Sequence, residues 1–164
     1  MEHAECVVVF PATELFAELR RIEEWPRFVE GLQSVEHTGH HRYRWHVTYA
    51  GNPRLVDVVV SFDHRRRRIA WKSLHRPAFD GGLRLVPLDA HRTRVHCWLA
   101  VEPVGLVETL MTGPQLTSAM AARNLQRLTE WVAARPQPGP VGGVGGAVPV
   151  PRIDLDGATV SSDA

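Results

Sequence analysis

Cysteine is nearly missing from this 164-residue chain: there are two, Cys6 and Cys97. That excludes a disulfide-rich scaffold and a cysteine-built zinc site. Lysine is scarcer still. Lys72 stands alone beside 18 arginines, so arginine is the default cation here. No apolar run approaches the roughly 20 residues that a membrane span needs. Neither sign of charge dominates: 19 basic and 18 acidic residues leave a net charge of +1. Such a balance gives no global attraction to nucleic acid or to an anionic membrane. A basic surface interleaved with aromatics is lacking too, which argues against RNA or DNA binding. The first ten residues have a strand's composition and not a signal peptide's layout. These absences predict a soluble, cytoplasmic protein.

Nine histidines are present, at positions 3, 37, 40, 41, 46, 64, 75, 91 and 96. None forms a helical i, i+4 pair, and no acidic residue completes a recognisable triad, so no metal site and no cofactor is expected. Cys6 and Cys97 fall on the first and last predicted strands, and a cytosolic location favours free thiols. Nothing in the sequence sets a general base beside either.

Composition divides the chain. Residues 136–164 hold six Gly, five Pro and no aromatic. Such a segment buries too little apolar surface to offset its ordering entropy. It reads as a disordered tail behind a single domain of residues 1–135. Its glycines lack the lysine and the strand–helix setting of a phosphate loop.

Within the domain, hydrophobic periodicity predicts the elements. Glu5–Phe10 reads as a strand ended by Pro11. Ala12–Arg21 reads as a helix with Thr13 as N-cap, and Trp25–Leu32 as a second short helix opened by Pro26. Ser34–Thr38 is a short strand. His41–Ala50 alternates cleanly, with Tyr43, Trp45, Val47 and Tyr49 on one face. Gly51-Asn52 signals a hairpin. Arg54–Phe62, Ile69–Ser73, Phe79–Pro87 and Thr93–Val101 complete an antiparallel series. Helical period returns in Val104–Met111 and again in Gln115–Ala134, where Leu116, Met120, Leu125, Leu128, Trp131 and Val132 form an apolar face.

This order predicts an α+β fold. A curved antiparallel sheet of about seven strands needs its apolar face covered, and one long C-terminal helix is the available cover. A sheet wrapped around a single helix leaves space at one end, which predicts a cavity. Tyr43, Trp45, Val47, Tyr49, Val58, Trp71, Ser73 and Leu83 on the strands face it, with Met120 and Asn124 on the helix. The aromatic stripe suits either a filled core or the wall of a pocket for a flat or lipid-like ligand.

Several phrases carry a family resemblance. They are Phe10-Pro-Ala-Thr-Glu-Leu-Phe16, Trp25-Pro-Arg-Phe-Val-Glu-Gly-Leu-Gln-Ser-Val-Glu36, Arg68-Ile-Ala-Trp-Lys-Ser73 and Gly82-Leu-Arg-Leu-Val-Pro-Leu88 followed by Thr93-Arg-Val95. In this order they resemble the START-like superfamily, also called SRPBCC or the polyketide cyclase/dehydrase and lipid-transport family. The resemblance spans roughly Cys6 to Ala134. Leu85 departs from it, standing where an aromatic is common, and the Arg65–Arg68 turn is unusually basic. It implies a helix-grip fold and a ligand-binding habit, not a reaction.

Three functions compete. The first is binding of a hydrophobic small molecule, such as a lipid, quinone or polyketide-like aromatic. The second is an aromatase/cyclase enzyme catalysing aldol closure and dehydration. It needs a proton shuttle and an oxyanion donor, for which Tyr43, Tyr49, Ser73, His75 and Arg54 are the available suppliers. The third is a regulator acting through its surface and tail. Arg65, Arg66, Arg67 and Arg68 offer transient contact with an anionic membrane or an acidic carrier.

Overall fold

The structure is a computed structural model, and it describes residues 2–105 and 114–138. Seven strands form one antiparallel sheet: β1 (Glu2–Val8), β2 (Leu32–Gly39), β3 (Arg42–Tyr49), β4 (Asn52–Asp63), β5 (Arg68–Ser73), β6 (Phe79–Pro87) and β7 (Thr93–Val101). Their order across the sheet is β1-β7-β6-β5-β4-β3-β2. Helix α1 (Ala12–Leu19) and a 3-10 helix (Ile22–Arg27) lie between β1 and β2, and the long α2 (Pro114–Ala133) follows β7. This is the helix-grip arrangement. Helix α2 packs chiefly against β1 and β7, burying Met120, Ala121, Leu125, Leu128 and Val132. Residues 106–111 of the predicted helix Val104–Met111, the side chain of Leu116 and nearly all of the predicted tail lie outside the described residues. Of the tail's first residues, Gln137 donates a side-chain N–H to Val9 O at 2.7 Å.

On β3 and β4 buried and less buried residues alternate. On β3 the residues Tyr43, Trp45, Val47 and Tyr49 are buried, and on β4 Val56, Val58 and Val60. Boundaries needed correction where pairing or turn chemistry overrides composition. Strand β1 runs Glu2–Val8, not Glu5–Phe10, because β7 offers partners from Leu99 to Thr93. Phe10 O instead accepts from the buried Thr93 Oγ1 at 2.7 Å. Helix α1 ends at Leu19, and its N-cap is Pro11, not Thr13, with Leu15 N–H donating to Pro11 O at 2.9 Å. The second helix is a 3-10 turn over Ile22–Arg27 rather than a helix over Trp25–Leu32. Pro26 sits inside it and has no N–H to carry an α-helical ladder.

Strand β2 is longer than predicted, and two irregularities in its pairing to β3 interrupt it. The β3–β4 turn centres on Ala50-Gly51, not Gly51-Asn52, since Tyr49 pairs with Asn52. Both turn residues have positive φ, 49° and 80°, as a type I′ hairpin requires. Strand β4 therefore starts at Asn52. Helix α2 starts one residue earlier than predicted, because Pro114 occupies its first position, where a missing N–H costs nothing.

Candidate functional site

Between the sheet and α2 lies a cavity of about 40 Å³. Strand residues Trp45, Trp71, Phe79, Leu83, Cys97 and Leu99 form its floor. Trp25, Phe28, Val29 and Glu30 line one side, and Met120, Asn124, Leu125 and Leu128 of α2 the other. Trp25 is the hub of the aromatic wall. Its ring lies 5.3 Å from Trp71, edge to face, and 5.9 Å from both Trp45 and Phe28. Such pairs contribute about 0.5–1.5 kcal/mol each beyond area burial. Trp25 Nε1 donates to Leu19 O at 2.9 Å, which fixes the ring's orientation.

One rim is tied shut by two bonds from α2. Asn124 Oδ1 accepts from Glu30 N–H at 2.7 Å. Arg123 Nε donates to the Glu30 carboxylate at 2.6 Å. The chain reaches this position through Gly31, whose φ is +78°. A Cβ there would stand 2.3 Å from Thr48 O, so only glycine fits. Asn124, expected simply as an inward polar residue, is thus a tie between helix and loop.

The predicted site residues divide. Trp45, Trp71, Leu83, Met120 and Asn124 come together around the cavity. Tyr43, Val47, Tyr49, Val58 and Ser73 belong to the same sheet and do not line it. Tyr43 stacks on His37 with centroids 4.9 Å apart. Burial, then the nearby Glu23 carboxylate, raises its phenol above the usual range. Tyr49 Oη meets Thr117 Oγ1 at 3.4 Å near the start of α2. Val58 is fully buried within the core. Ser73 Oγ donates to Asp80 Oδ1 at 2.6 Å and accepts from Phe79 N–H at 2.7 Å, closing the β5–β6 connection. Trp25, Phe28, Phe79, Cys97, Leu99, Leu125 and Leu128 were not named as site residues. Except for Trp25, their inward faces were visible in the sequence; their position along each element was not.

Cys97 faces the cavity with its thiol protonated. Burial, with Cys6 a second cause, pushes its pKa up to about 12. Burial also raises the Cys6 thiol, against a lowering hydrogen bond from Thr129. Both cysteines are free. His75 is exposed and borders a separate surface groove with Asp57 and Arg76. Arg54 lies over the Tyr49 ring at 5.2 Å and donates to Glu102 O.

The basic turn does not present one surface. Arg67, with a φ of 47°, turns toward Thr13 of α1. Arg66 and Arg68 face the outer side of the sheet, where Arg68 sits 4.7 Å from the Trp98 ring centroid. Among the described residues, no helix is long and apolar enough to cross a membrane. No group of three or more His, Cys, Asp or Glu gathers among them as a metal site.

A sheet gripping one long helix over an apolar cavity is the frame that the sequence comparisons extend. The family model described as polyketide cyclase / dehydrase and lipid transport matches residues 3–133. The chain belongs to that family. No curated protein matches the sequence. Among solved structures, a protein from Thermus thermophilus superposes with a TM-score of 0.64 at 16% identity, covering 81% of this chain and 97% of that one. A START superfamily protein from Mycobacterium smegmatis gives 0.59 at 15% identity, covering 78% and 90%. The Zhui aromatase/cyclase from Streptomyces sp. R1128 gives 0.53 at 22% identity, covering 80% and 84%. At these identities the likeness is one of fold.

Proposed function

We propose that this member of the polyketide cyclase/dehydrase and lipid-transport family binds a hydrophobic small molecule between its sheet and α2, and holds it unchanged. The observation that carries the reading is the lining. Aromatic and aliphatic side chains surround the space, and the polar groups at its rim, Asn124 and Glu30, are engaged with each other's chain segments. Burial of apolar ligand surface is then the driving force, at about 25 cal/mol per Å². The aromatic wall favours a flat ligand of the quinone or polyketide-like kind over a bulky one.

Cyclisation with dehydration is the competing reading. It requires a group that moves a proton and a donor aimed at a developing oxyanion. Tyr43, Tyr49, Ser73, His75 and Arg54 were the candidates, and none of them borders the cavity. The Cys97 thiol, which does, is held protonated. This distribution supports holding over chemistry. Contact with an anionic surface falls, on the same reading, to Arg66 and Arg68 on the outer face.

Native mass spectrometry of the protein purified without denaturant tests the proposal. The expected result is a bound species of a few hundred daltons that is lost on denaturation. The apo mass alone, together with no uptake of added hydrophobic compounds, would contradict it.

A further inference from the structure

The outer face of the sheet, opposite the cavity, carries a groove of about 550 Å³ lined by His3, Arg66, Arg68, Arg84, His96 and Trp98. No carboxylate joins that lining among the described residues. Strand register accounts for the gathering. Arg68 of β5 pairs with Arg84 of β6, which pairs with His96 of β7. Two residues along, Gly82 of β6 pairs with Trp98 of β7, and Trp98 with His3 of β1. Neighbouring strands lie about 4.8 Å apart, so the row from Arg68 to His96 spans about 10 Å.

Two of these basic groups have a carboxylate beside them. Arg66 Nη1 lies 3.6 Å from Asp63 Oδ2, and His96 Nδ1 lies 3.2 Å from Glu5 Oε2. Arg68 and Arg84 are exposed and have no carboxylate partner among the described residues. Like charges directly opposite on neighbouring strands destabilise a sheet. Here the Arg68 side chain nevertheless leans toward β6 and not away from it. The Trp98 ring lies over Gly82, where a Cβ would stand 1.8 Å from Cη2. The Arg68 guanidinium carbon sits 4.7 Å from the centroid of that ring. Strand β6 runs between the strands that bear Arg68 and Trp98, so the Arg68 head group reaches over the strand that carries Arg84. Glycine at position 82 lets the ring settle on β6, and the cation–π contact holds the guanidinium there.

We propose that this groove is a binding site for a soluble phosphate monoester, gripped by Arg68 and Arg84. The planar guanidinium fork matches phosphate oxygens in geometry. A phosphate monoester carries a charge of about −1.5 to −2 at pH 7, close to the two charges that the groove leaves uncompensated. A carboxylate or a phosphodiester, with one charge, balances only one of them. The imidazoles of His3 and His96 stand on the β1 side of the groove, and Trp98 provides its apolar floor. No aliphatic side chain lines it among the described residues, which favours a soluble ester over a lipid headgroup. The site lies on the opposite face from the cavity and does not depend on the ligand-holding reading.

The test compares methyl phosphate with dimethyl phosphate, which differ by one methyl group and one negative charge. Each is titrated at about pH 7.5, where the monoester is a dianion, and at constant ionic strength. The protein is the intact chain labelled with 15N-tryptophan, its indole resonances assigned with single Trp→Phe variants. Methyl phosphate should shift the Trp98 indole, leave those of Trp45 and Trp71 in place, and bind about tenfold tighter than dimethyl phosphate. Arg68→Gln and Arg84→Gln should each weaken it about five- to tenfold, the share of one exposed charge-assisted hydrogen bond. Arg44→Gln removes the same charge from exposed β3, where Asp57 pairs with it, and should leave the affinity within about twofold. Equal binding of the two esters, a stationary Trp98 resonance, or as great a loss in Arg44→Gln as in Arg84→Gln overturns the proposal. Sedimentation with vesicles of phosphatidylcholine and phosphatidic acid, without binding of methyl phosphate, overturns it too and assigns the face to a membrane. None of these outcomes bears on the cavity.

Discussion

Gly81 and Gly82 are neighbours on β6 whose substitution by alanine should have unequal consequences. Neither has a positive φ, so the backbone accepts alanine. The less flexible unfolded chain then favours the substitution by about 0.4–1 kcal/mol. What differs is what the new methyl meets. At position 81 it meets Trp71 Cζ2 at 2.3 Å and Trp98 O at 2.7 Å. The carbonyl belongs to the backbone of β7, which is paired on both sides, so it yields little. Overpacking costs about 1–3 kcal/mol, and contacts this close to an unyielding backbone put it at roughly 2–2.5, leaving a net loss of roughly 1–2 kcal/mol. At position 82 the three atoms nearest the methyl are all in the Trp98 ring, at 1.8, 2.0 and 2.6 Å. That ring lies on the outer face and can swing into solvent. It forfeits its stack with Arg68, about 0.5–1 kcal/mol, which the unfolded-state gain offsets. For a domain of this size 1 kcal/mol moves the melting temperature by about 3–4 °C. Thermal unfolding followed by circular dichroism should therefore show Gly81→Ala lowered by roughly 3–8 °C and Gly82→Ala within about 2 °C of wild type. A Gly81→Ala protein that melts with the wild type, or a Gly82→Ala protein that melts more than about 2 °C below it, would refute the reasoning.

Thr93→Val removes the buried hydroxyl that satisfies Phe10 O and should cost about 1–3 kcal/mol in urea unfolding; a loss under half of that would mean that Phe10 O finds another donor. Arg68 and Arg84 face each other in register on the outer side of β5 and β6, and neither has an ion pair among the described residues. Arg84→Glu should then stabilise by about 0.2–1 kcal/mol, a gain that disappears in about 1 M NaCl; destabilisation at low salt would show that the pair is already neutralised. Asp57, Asp63, Asp89 and Glu102 are held below the usual carboxylate range, by the Arg44 hydrogen bond, by the Arg66 and His91 backbone N–H groups, and by the Ala78 N–H, respectively. A depressed folded-state pKa gives stability that is present above the unfolded value, 3.8 for Asp and 4.5 for Glu, and is lost as pH falls through the folded value. Urea midpoints should stay level down to about pH 5 and then fall, with Glu102→Gln flattening the decline; a midpoint that rises on acidification would contradict the assignments.

Much of the fold was legible because alternation is a local signal. The buried row Tyr43, Trp45, Val47 and Tyr49 could be read from the sequence alone, as could the polar row between its members. Element ends were less legible because distant partners set them. Strand β1 begins at Glu2 since Leu99 is there to pair with it, and Thr13 loses the cap to Pro11 through chain direction, not side-chain chemistry. The candidate site was half legible for a related reason. Parity tells which face a residue occupies but not where along the strand the helix crosses. Trp45 and Tyr49 share a face, yet Trp45 borders the cavity while Tyr49 packs by Thr117 at the start of α2. The third partner in the aromatic wall, Trp25, arrives from the 3-10 helix, whose docking no periodicity encodes. The buried Nε1 donors of Trp45 and Trp71, which have no hydrogen-bond partner, could not be seen in the sequence, since that lack depends on every neighbour at once.

The central claim is that the space between the sheet and α2 takes a hydrophobic ligand. Quenching of tryptophan emission by bromobenzene tests it most directly, because a heavy atom quenches only near contact. Trp71 borders the cavity, whereas Trp98 lies against Gly82 on the opposite face of the sheet beside Arg68. Saturable quenching is expected in the wild type. It should be largely lost in Trp71→Phe and retained in Trp98→Phe. No saturable response, or equal or greater loss in Trp98→Phe, would contradict the account.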